Sequence, residues 1–588
     1  MTIIFRASKT TLFTILLLFF IAVCSASLKA QSPSTADIKG YIKDAKTGEA
    51  LPYANIMIEG TKRGTSSNAD GYFILVNEPI VKISLLVRYI GYTSVRIEFE
   101  NKLNNEPLLI ELKPTVLELQ GITVIAQAEM MQATEKISQI TISPHQVATL
   151  PNVGEIDLFR TLQLLPGISG VSDGSSGLYV RGGKPDQNLI LFDGMTIYHV
   201  DHFFGFFSAF NADAIKDIQL FKGGFGAEYG GRLSSVVNIT GKTGHKNKPQ
   251  FGYAVNLLSA KSYFEMPFGQ WGTFLVAARR SYTDFIQSPL YDSIYKLMTG
   301  EDGGTTGGPV RGRGGFGGFG AQQTEFRPSF YFYDVNAKVT LYPTSKDVVS
   351  FSLYNGKDDL DKSQDLSGMG LRFRDETSTS ATLKTSDFTR WGNLGFGAKW
   401  SRQWFDRLYV NLLAANSYYF SRYDRGTQLS GISPVLQSDT SNVRRTFSNS
   451  SNEDNNVKDR TYKTDFNWQA TASHRIDFGF QYSHFGNKYS AVRNDSIEIF
   501  SRDSQSVLNS LYFQDKWRMR SAELTAGLRA SHYNRTQKVY YEPRAALSLP
   551  IIQYIDLKAA WGHYYQFVNQ IANEDVTQGA RDFWLLAD

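Results

Sequence analysis

Residues 178–199 read LYVRGGKPDQNLILFDGMTIYH, and residues 213–239 read DAIKDIQLFKGGFGAEYGGRLSSVVNI. Short runs of strand-forming residues alternate here with Gly-rich turns, and an isolated arginine stands towards each end, Arg181 and Arg232. Asp193-Gly194 lies between LILF and MTIY. A two-residue hairpin turn needs positive φ at both positions, which Asp and Gly accept, so the pair predicts a hairpin. The glycines let these strands turn tightly and approach one another closely. Just upstream, EIDLFRTLQLLPG predicts a short helix. Leu158, Leu162 and Leu165 fall on one face at i, i+4 and i+7 as core residues, and Pro166-Gly167 stops the helix.

From about Phe251 onward the pattern changes to alternating runs. In Ala522–Ala530 the even positions carry Ala, Leu, Ala, Leu and Ala, while Glu523, Thr525 and Arg529 hold odd ones. Ile555, Leu557, Ala559 and Trp561 alternate in the same way with Asp556, Lys558, Ala560 and Gly562. Period-2 runs of about ten residues are the mark of a membrane β-barrel, whose strands face lipid and lumen in turn. Composition agrees, since 13% aromatic residues and 50 glycines combine strand formers with turn formers. Mean hydropathy is −0.26. No apolar run after the first thirty residues is long enough for a spanning helix, which excludes a helical membrane protein. A net charge of +5 is small for 588 residues and points to no nucleic-acid partner. Connections alternate in length: a tight turn at Pro343–Asp347, then an expected long polar loop from Arg425 to Asp459.

The first thirty residues read as an export signal. Arg6 and Lys9 precede TLFTILLLFFIAVCSA, an apolar core too short to span. Cleavage after Ala30 is preferred, with Ala26 the alternative. Cys24 is the only cysteine, and Val23 stands where an acylated lipoprotein needs a small residue. The processed chain therefore has no thiol for disulfides or nucleophilic catalysis. Residues 36–113 alternate strand runs with turns at Thr47-Gly48, Gly60-Thr61 and Asp70-Gly71, which predicts a β-sandwich.

The stretch YVRGG…QNLILFDG…YGGRL…VVNI resembles the plug domain of TonB-dependent outer-membrane receptors, and residues 129–245 are taken as that domain. IKGYIKDAKTGEALPYANIMIEGTKRGTSSNADGYFIL resembles the carboxypeptidase-regulatory-like module that precedes the plug in receptors of Bacteroidetes type. The resemblance implies a mainly β fold: an N-terminal β-sandwich, a small α+β plug and a partial transmembrane antiparallel β-barrel over 250–588. Between sandwich and plug, the tether 114–128 holds Gly121, Ile122, Thr123, Val124 and Ile125. Two readings compete there. It is either a linker strand packing on the sandwich or a TonB box, which adds as a strand to the periplasmic transducer TonB; its position favours the second. Arg181 corresponds in the family to a plug arginine paired with barrel carboxylates, and Glu542 in EPRAALS is the candidate partner. Arg232 is a candidate for a second plug–barrel pair. The alternative for both arginines is hydrogen bonding within the plug's own turns. About thirteen strands are countable, against the 22 that plugged transporters use. The chain ends at LLAD, so the sequence is expected to lack the C-terminal part of the barrel.

Other motifs carry less. Gly170–Gly174 fits G-x-S-x-G but lies in a polar turn, not on a strand-to-helix elbow. Gly312–Gly317 fits G-x-G-x-x-G inside a low-complexity Gly-rich run, without the flanking strand and helix of a dinucleotide site. The run could pass for an RNA-binding RGG tract, yet a flexible external loop is its default reading. No H-E-x-x-H occurs, so no enzyme is expected. His199, Asp201 and His202 have a first-row-metal composition and form a candidate ligand-facing loop, but structural imidazoles are the preferred reading. Neither a metal nor a cofactor is expected. The function implied is import of a scarce small-molecule or oligomeric nutrient across a Gram-negative outer membrane, driven by proton-motive force through TonB, with lipid around the barrel. A receptor that mainly signals, or a passive surface-binding protein, is the alternative. The solute is left open, with a slight tilt from the two histidines towards iron complexes.

Overall fold

The computed structural model describes residues 35–61, 63–102, 106–115, 132–133, 139–147, 156–170, 177–202, 205, 207–286, 288–299, 328–372, 378–433, 443–519, 522–552, 555–575 and 579–588. The export signal, the tether residues 121–125 and the Gly-rich run around 312–317 lie outside them, as does most of 170–174.

The N-terminal unit is two small sheets face to face. One places Thr35–Asp44 between Tyr72–Pro79, antiparallel, and Leu108–Leu112, parallel. The other runs Gly64–Ser66, Asn55–Ile58, Lys82–Arg88, Val95–Glu100. Alternate residues of Thr35–Asp44 are buried, so Ile38 and Ile42 meet Ile56, Leu85 and Val87 in one apolar core. That is a sandwich whose strands each bury one side of their pleat.

A second core belongs to a six-stranded sheet in the order Met195–Thr196, Asn188–Phe192, Ser235–Gly241, Ile215–Phe221, Gln139–Ile142, Gln132–Ala133. The hairpin foreseen at Asp193-Gly194 forms, with φ of 47° and 88°. The helix spans Leu158–Gln163, and Asp157 caps it by accepting from the Arg160 amide. Leu158, Phe159 and Leu162 are buried against the sheet, with Leu165 packed beside them.

Around this unit curves a 14-stranded antiparallel sheet from Gln250–Val255 to Ile555–Gly562, with Gln364–Arg372 branching off Ser378–Phe405. Among the described residues its two edge strands do not pair with each other. Leu511 and Phe513 face outwards, 63% and 50% exposed, while Ser510, Tyr512 and Gln514 between them are buried. Apolar outside and polar inside is the inverse of a water-soluble sheet and suits a wall standing in lipid. Among the described residues no helix is long and apolar enough to cross a membrane. Pro343–Asp347 is a tight turn between Ser329–Thr344 and Asp347–Asp361. The expected loop at 425–459 is largely strand instead. Leu408–Ser433 and Val443–Gln469 keep a continuous ladder because backbone pairing does not need apolar side chains once the strands leave lipid. At about 3.3 Å per residue such strands reach roughly 85 Å, far beyond an apolar band of about 25 Å.

Among the described residues one hairpin, Val568–Asp575 with Gly579–Leu586, pairs only with itself. It does not extend the wall but folds against its inner face. Phe567, Val568, Trp584 and Leu586 pack on Tyr419, Val457, Phe485 and Leu508, and Asn455 and Asn487 donate to the Trp584 carbonyl at 3.0 and 2.7 Å.

Candidate functional site

The strongest candidate site is the contact surface between the six-stranded unit and the wall around it. Its chemistry is polar because the wall's inward face is polar. Three charge clusters hold it.

The first centres on His202, on the short strand Asp201–His202. Its Nε2 lies 2.6 Å from Asp334, and its Nδ1 meets Asp358. Arg279 donates from Nε to Asp334 at 2.6 Å and from Nη2 to the Ser208 carbonyl at 2.8 Å. Phe332 stacks on the imidazole at 4.5 Å. Burial alone would depress the His202 pKa, but the carboxylates of Asp334 and Asp358 overcome that and push it up to about 10. His202 is thus an imidazolium locked into the wall and does not face ligand, because both ring nitrogens are taken. His199 stays partly exposed, paired with Asp201 at 3.1 Å and edge-on to Trp391.

The second cluster is built on the hairpin turn. Asp193 accepts from the Gly241 amide at 3.0 Å, from Ser352 at 2.8 Å and from Lys338 at 3.0 Å. Burial by itself would raise the Asp193 pKa; the Lys338 charge and these hydrogen bonds hold it low. Gly194 is pressed on the wall, since a Cβ there would stand 2.5 Å from Leu413 Cδ2. The same dipeptide that shapes the turn also docks it.

The third contains Glu542, and it departs from the expected pairing with Arg181. Glu542 is fully buried and is engaged by Arg544 at 2.6 Å, by Arg529 at 3.8 Å and by the Ser531 hydroxyl at 3.0 Å. All four are wall residues. Arg529 stands directly opposite Glu542 in the antiparallel register. A buried carboxylate takes the nearest cations on its own sheet, because fixed pairs cost less desolvation than a long reach. The two arginines in turn grip the plug's backbone. Arg544 Nη1 donates to Tyr229 O at 2.7 Å, and Arg529 Nη1 to Ala227 O at 3.3 Å. Arg181 instead lies exposed in a left-handed turn, φ 50°, beside Gly223 and Lys222.

Arg232 is buried at the plug–wall boundary but forms no carboxylate pair among the described residues. It donates to Val568 O at 3.2 Å and lies over the rings of Tyr198 and Trp584 at 5.9 and 5.3 Å. Tyr198 then donates to Asp459 at 3.1 Å. Arg279, Arg529, Arg544, Asp334, Asp358 and Lys338 were not singled out from sequence. The signal existed: Arg529 falls on the lumen parity of its alternating run, and Glu542 and Arg544 are two residues apart, on one face. No cluster of three or more His, Cys, Asp and Glu suited to a metal occurs among the described residues.

With this geometry in view, comparison with known proteins is informative. Residues 38–124 match the model of the CarboxypepD_reg-like domain, and residues 134–237 match that of the TonB-dependent Receptor Plug Domain. TonB-dependent receptor P39 of Formosa agariphila is 25% identical over 257 residues, 42% of this chain and 23% of that protein. TonB-dependent receptor SusC of Bacteroides thetaiotaomicron is 27% identical over 230 residues, 37% of this chain and 22% of that protein. The matches thus span less than a quarter of those relatives. Among solved structures, the ferric enterobactin receptor of Pseudomonas aeruginosa aligns at 16% identity and a TM-score of 0.47, covering 75% of this chain and 64% of that one. Residues 134–237 thus match the plug of TonB-dependent receptors, which are outer-membrane proteins of Gram-negative bacteria, and the curated relatives are receptors rather than enzymes.

Proposed function

We propose that this chain is an outer-membrane receptor that imports a scarce nutrient into the periplasm, powered by proton-motive force through TonB. The observation that carries the reading is a plug-type domain seated against a wall that is apolar outside and polar inside. The plug keeps its own apolar core; the wall adds only Tyr354, Ala415 and Leu413 to it. Apart from apolar contacts at Tyr198, Phe207, Ala214 and Phe225, hydrogen bonds and ion pairs join plug to wall. Water replaces such polar contacts at a net cost of about 0.5–1.5 kcal/mol for a neutral hydrogen bond and about 1.5–3 kcal/mol for one to a charged group, so the plug can rearrange while its own core stays buried.

In this reading residues 36–113 form a periplasmic module, 114–128 the tether, 129–245 the plug, and 250–588 wall. Ligand binds at the long-loop end and changes how Gly121–Ile125 is presented. Ile122–Ile125 then adds as a strand to TonB, which pulls. Arg529 and Arg544, held in place by Glu542, together with Arg232 and His202, make the contacts the pull must loosen. His199 and Asp201 are the polar groups of that plug loop still open to a solute. The solute is a ferric chelate, haem, cobalamin, an oligosaccharide or a peptide.

Uptake of labelled members of that panel, in cells with and without the chain, tests the reading. Accumulation that depends on the chain and collapses with a protonophore is expected. Accumulation insensitive to the protonophore contradicts energised transport.

A further inference from the structure

The N-terminal sandwich sits across the short-turn end of the wall, directly beneath the plug. Arg407, in the turn after Ser378–Phe405, donates twice to Asp37, at 2.9 and 3.0 Å. Its neighbour Asp406 accepts from Lys39 at 2.7 Å, and the Asp406 carbonyl accepts from Tyr72 at 2.9 Å. Tyr41 donates to Ser345 O at 3.3 Å in the turn at 343–347. Across the mouth, Arg518 donates to Gly64 O. Contacts thus come from separate turns around the rim.

A loop of the sandwich, Glu49–Tyr53, reaches inwards to the plug. Glu49 is buried and accepts from Thr243 N at 2.5 Å, Thr243 Oγ1 at 2.8 Å and Gly244 N at 2.9 Å. Lys216 donates to Ala50 O, and Tyr89 donates to Asp217 of the plug at 3.2 Å. Tyr53 is held at φ 59°, a left-handed conformation that a bulky side chain adopts only where its surroundings enforce it. Between sandwich floor, plug roof and wall lies a cavity of about 760 Å³, lined by Tyr53, Tyr72, Lys216, Ser401 and Asp465 among others.

We propose that the sandwich is a second gate: it covers the short-turn mouth and shuts the chamber beneath the plug off from the solution on that side. A plug rearrangement alone would admit solute to this chamber and no further. Release then requires the rim contacts at Asp37, Lys39 and Tyr72 to part. This consequence for transport rests on the import reading, whereas closure itself does not.

The gate is tested on the full chain in nanodiscs, in a Cys24→Ser background, with Ser401→Cys as a reporter inside the chamber. A sulfonated maleimide labels it. Asp37→Arg with Lys39→Asp sets like charges against Arg407 and Asp406. Labelling should then speed up about tenfold, since partly exposed pairs are individually weak but both now repel. Adding Asp406→Arg with Arg407→Asp restores both pairs and should return the slow rate. Equal rates in all three proteins would overturn the gate. So would a combined variant that stays fast, because that would place the effect in damage rather than contact. No uptake is measured, so these rates are read whether or not the import reading survives.

Discussion

His202 shows how a single side chain ties plug to wall. Its pKa stands near 10 against an ordinary 6.5, so the folded state holds the proton more tightly. A group raised in this way contributes fully below pH 6.5, and the contribution is lost as pH rises through about 10. Thermal melting of the plug–wall assembly between pH 6 and pH 10.5 should show that decline, and His202→Gln should flatten it. Glu542 supplies the second residue-level prediction. Glu542→Ala would leave Arg529 and Arg544 buried without their carboxylate and cost about 3–5 kcal/mol. Arg181→Ala, at an exposed turn, should stay within about 0.5 kcal/mol. Denaturation of the two variants side by side checks the assignment; equal losses would restore Arg181 as the partner. The sequence error has a clear origin. A motif identifies an arginine but not its distance from a carboxylate, whereas strand parity alone puts Arg529 on the same inner face of the wall as Glu542.

At the level of elements, the turn at Asp193-Gly194 was readable because its φ demand is local. Its docking was not, since Lys338, Ser352 and Leu413 come from strands far along the chain. Gly194→Ala should cost about 1–3 kcal/mol, from the left-handed φ together with the clash on Leu413. A comparable melt for Gly182→Ala separates the two terms. Gly182 also has positive φ, but nothing lies within 4 Å of its added Cβ. The short helix was legible from its leucine spacing and its Pro-Gly stop. The polar segment at 425–459 misled because polarity was taken to mean loop, whereas antiparallel pairing outside lipid tolerates Ser, Asn and Asp. The hairpin at 568–586 has the alternation of a wall strand, yet Trp584 and Phe567 found an aromatic inner surface to cover. Periodicity reports that one face is apolar and not which surface receives it.

For the molecule as a whole, the order sandwich, six-stranded unit and wall was legible, since each part has its own turn chemistry and period. What could not be read was how the parts meet. The sandwich's Asp37, Glu49 and Tyr89 reach the wall and plug, and no local pattern marks such distant partners. In the proposed function this assembly is driven from the periplasmic side through residues 121–125. The most direct test is capture of the purified periplasmic domain of TonB by the full chain, compared with Ile122→Pro and Val124→Pro. Proline removes an amide donor from any added strand. The account predicts binding by the unaltered chain and its loss in both variants. Undiminished binding by both would contradict it.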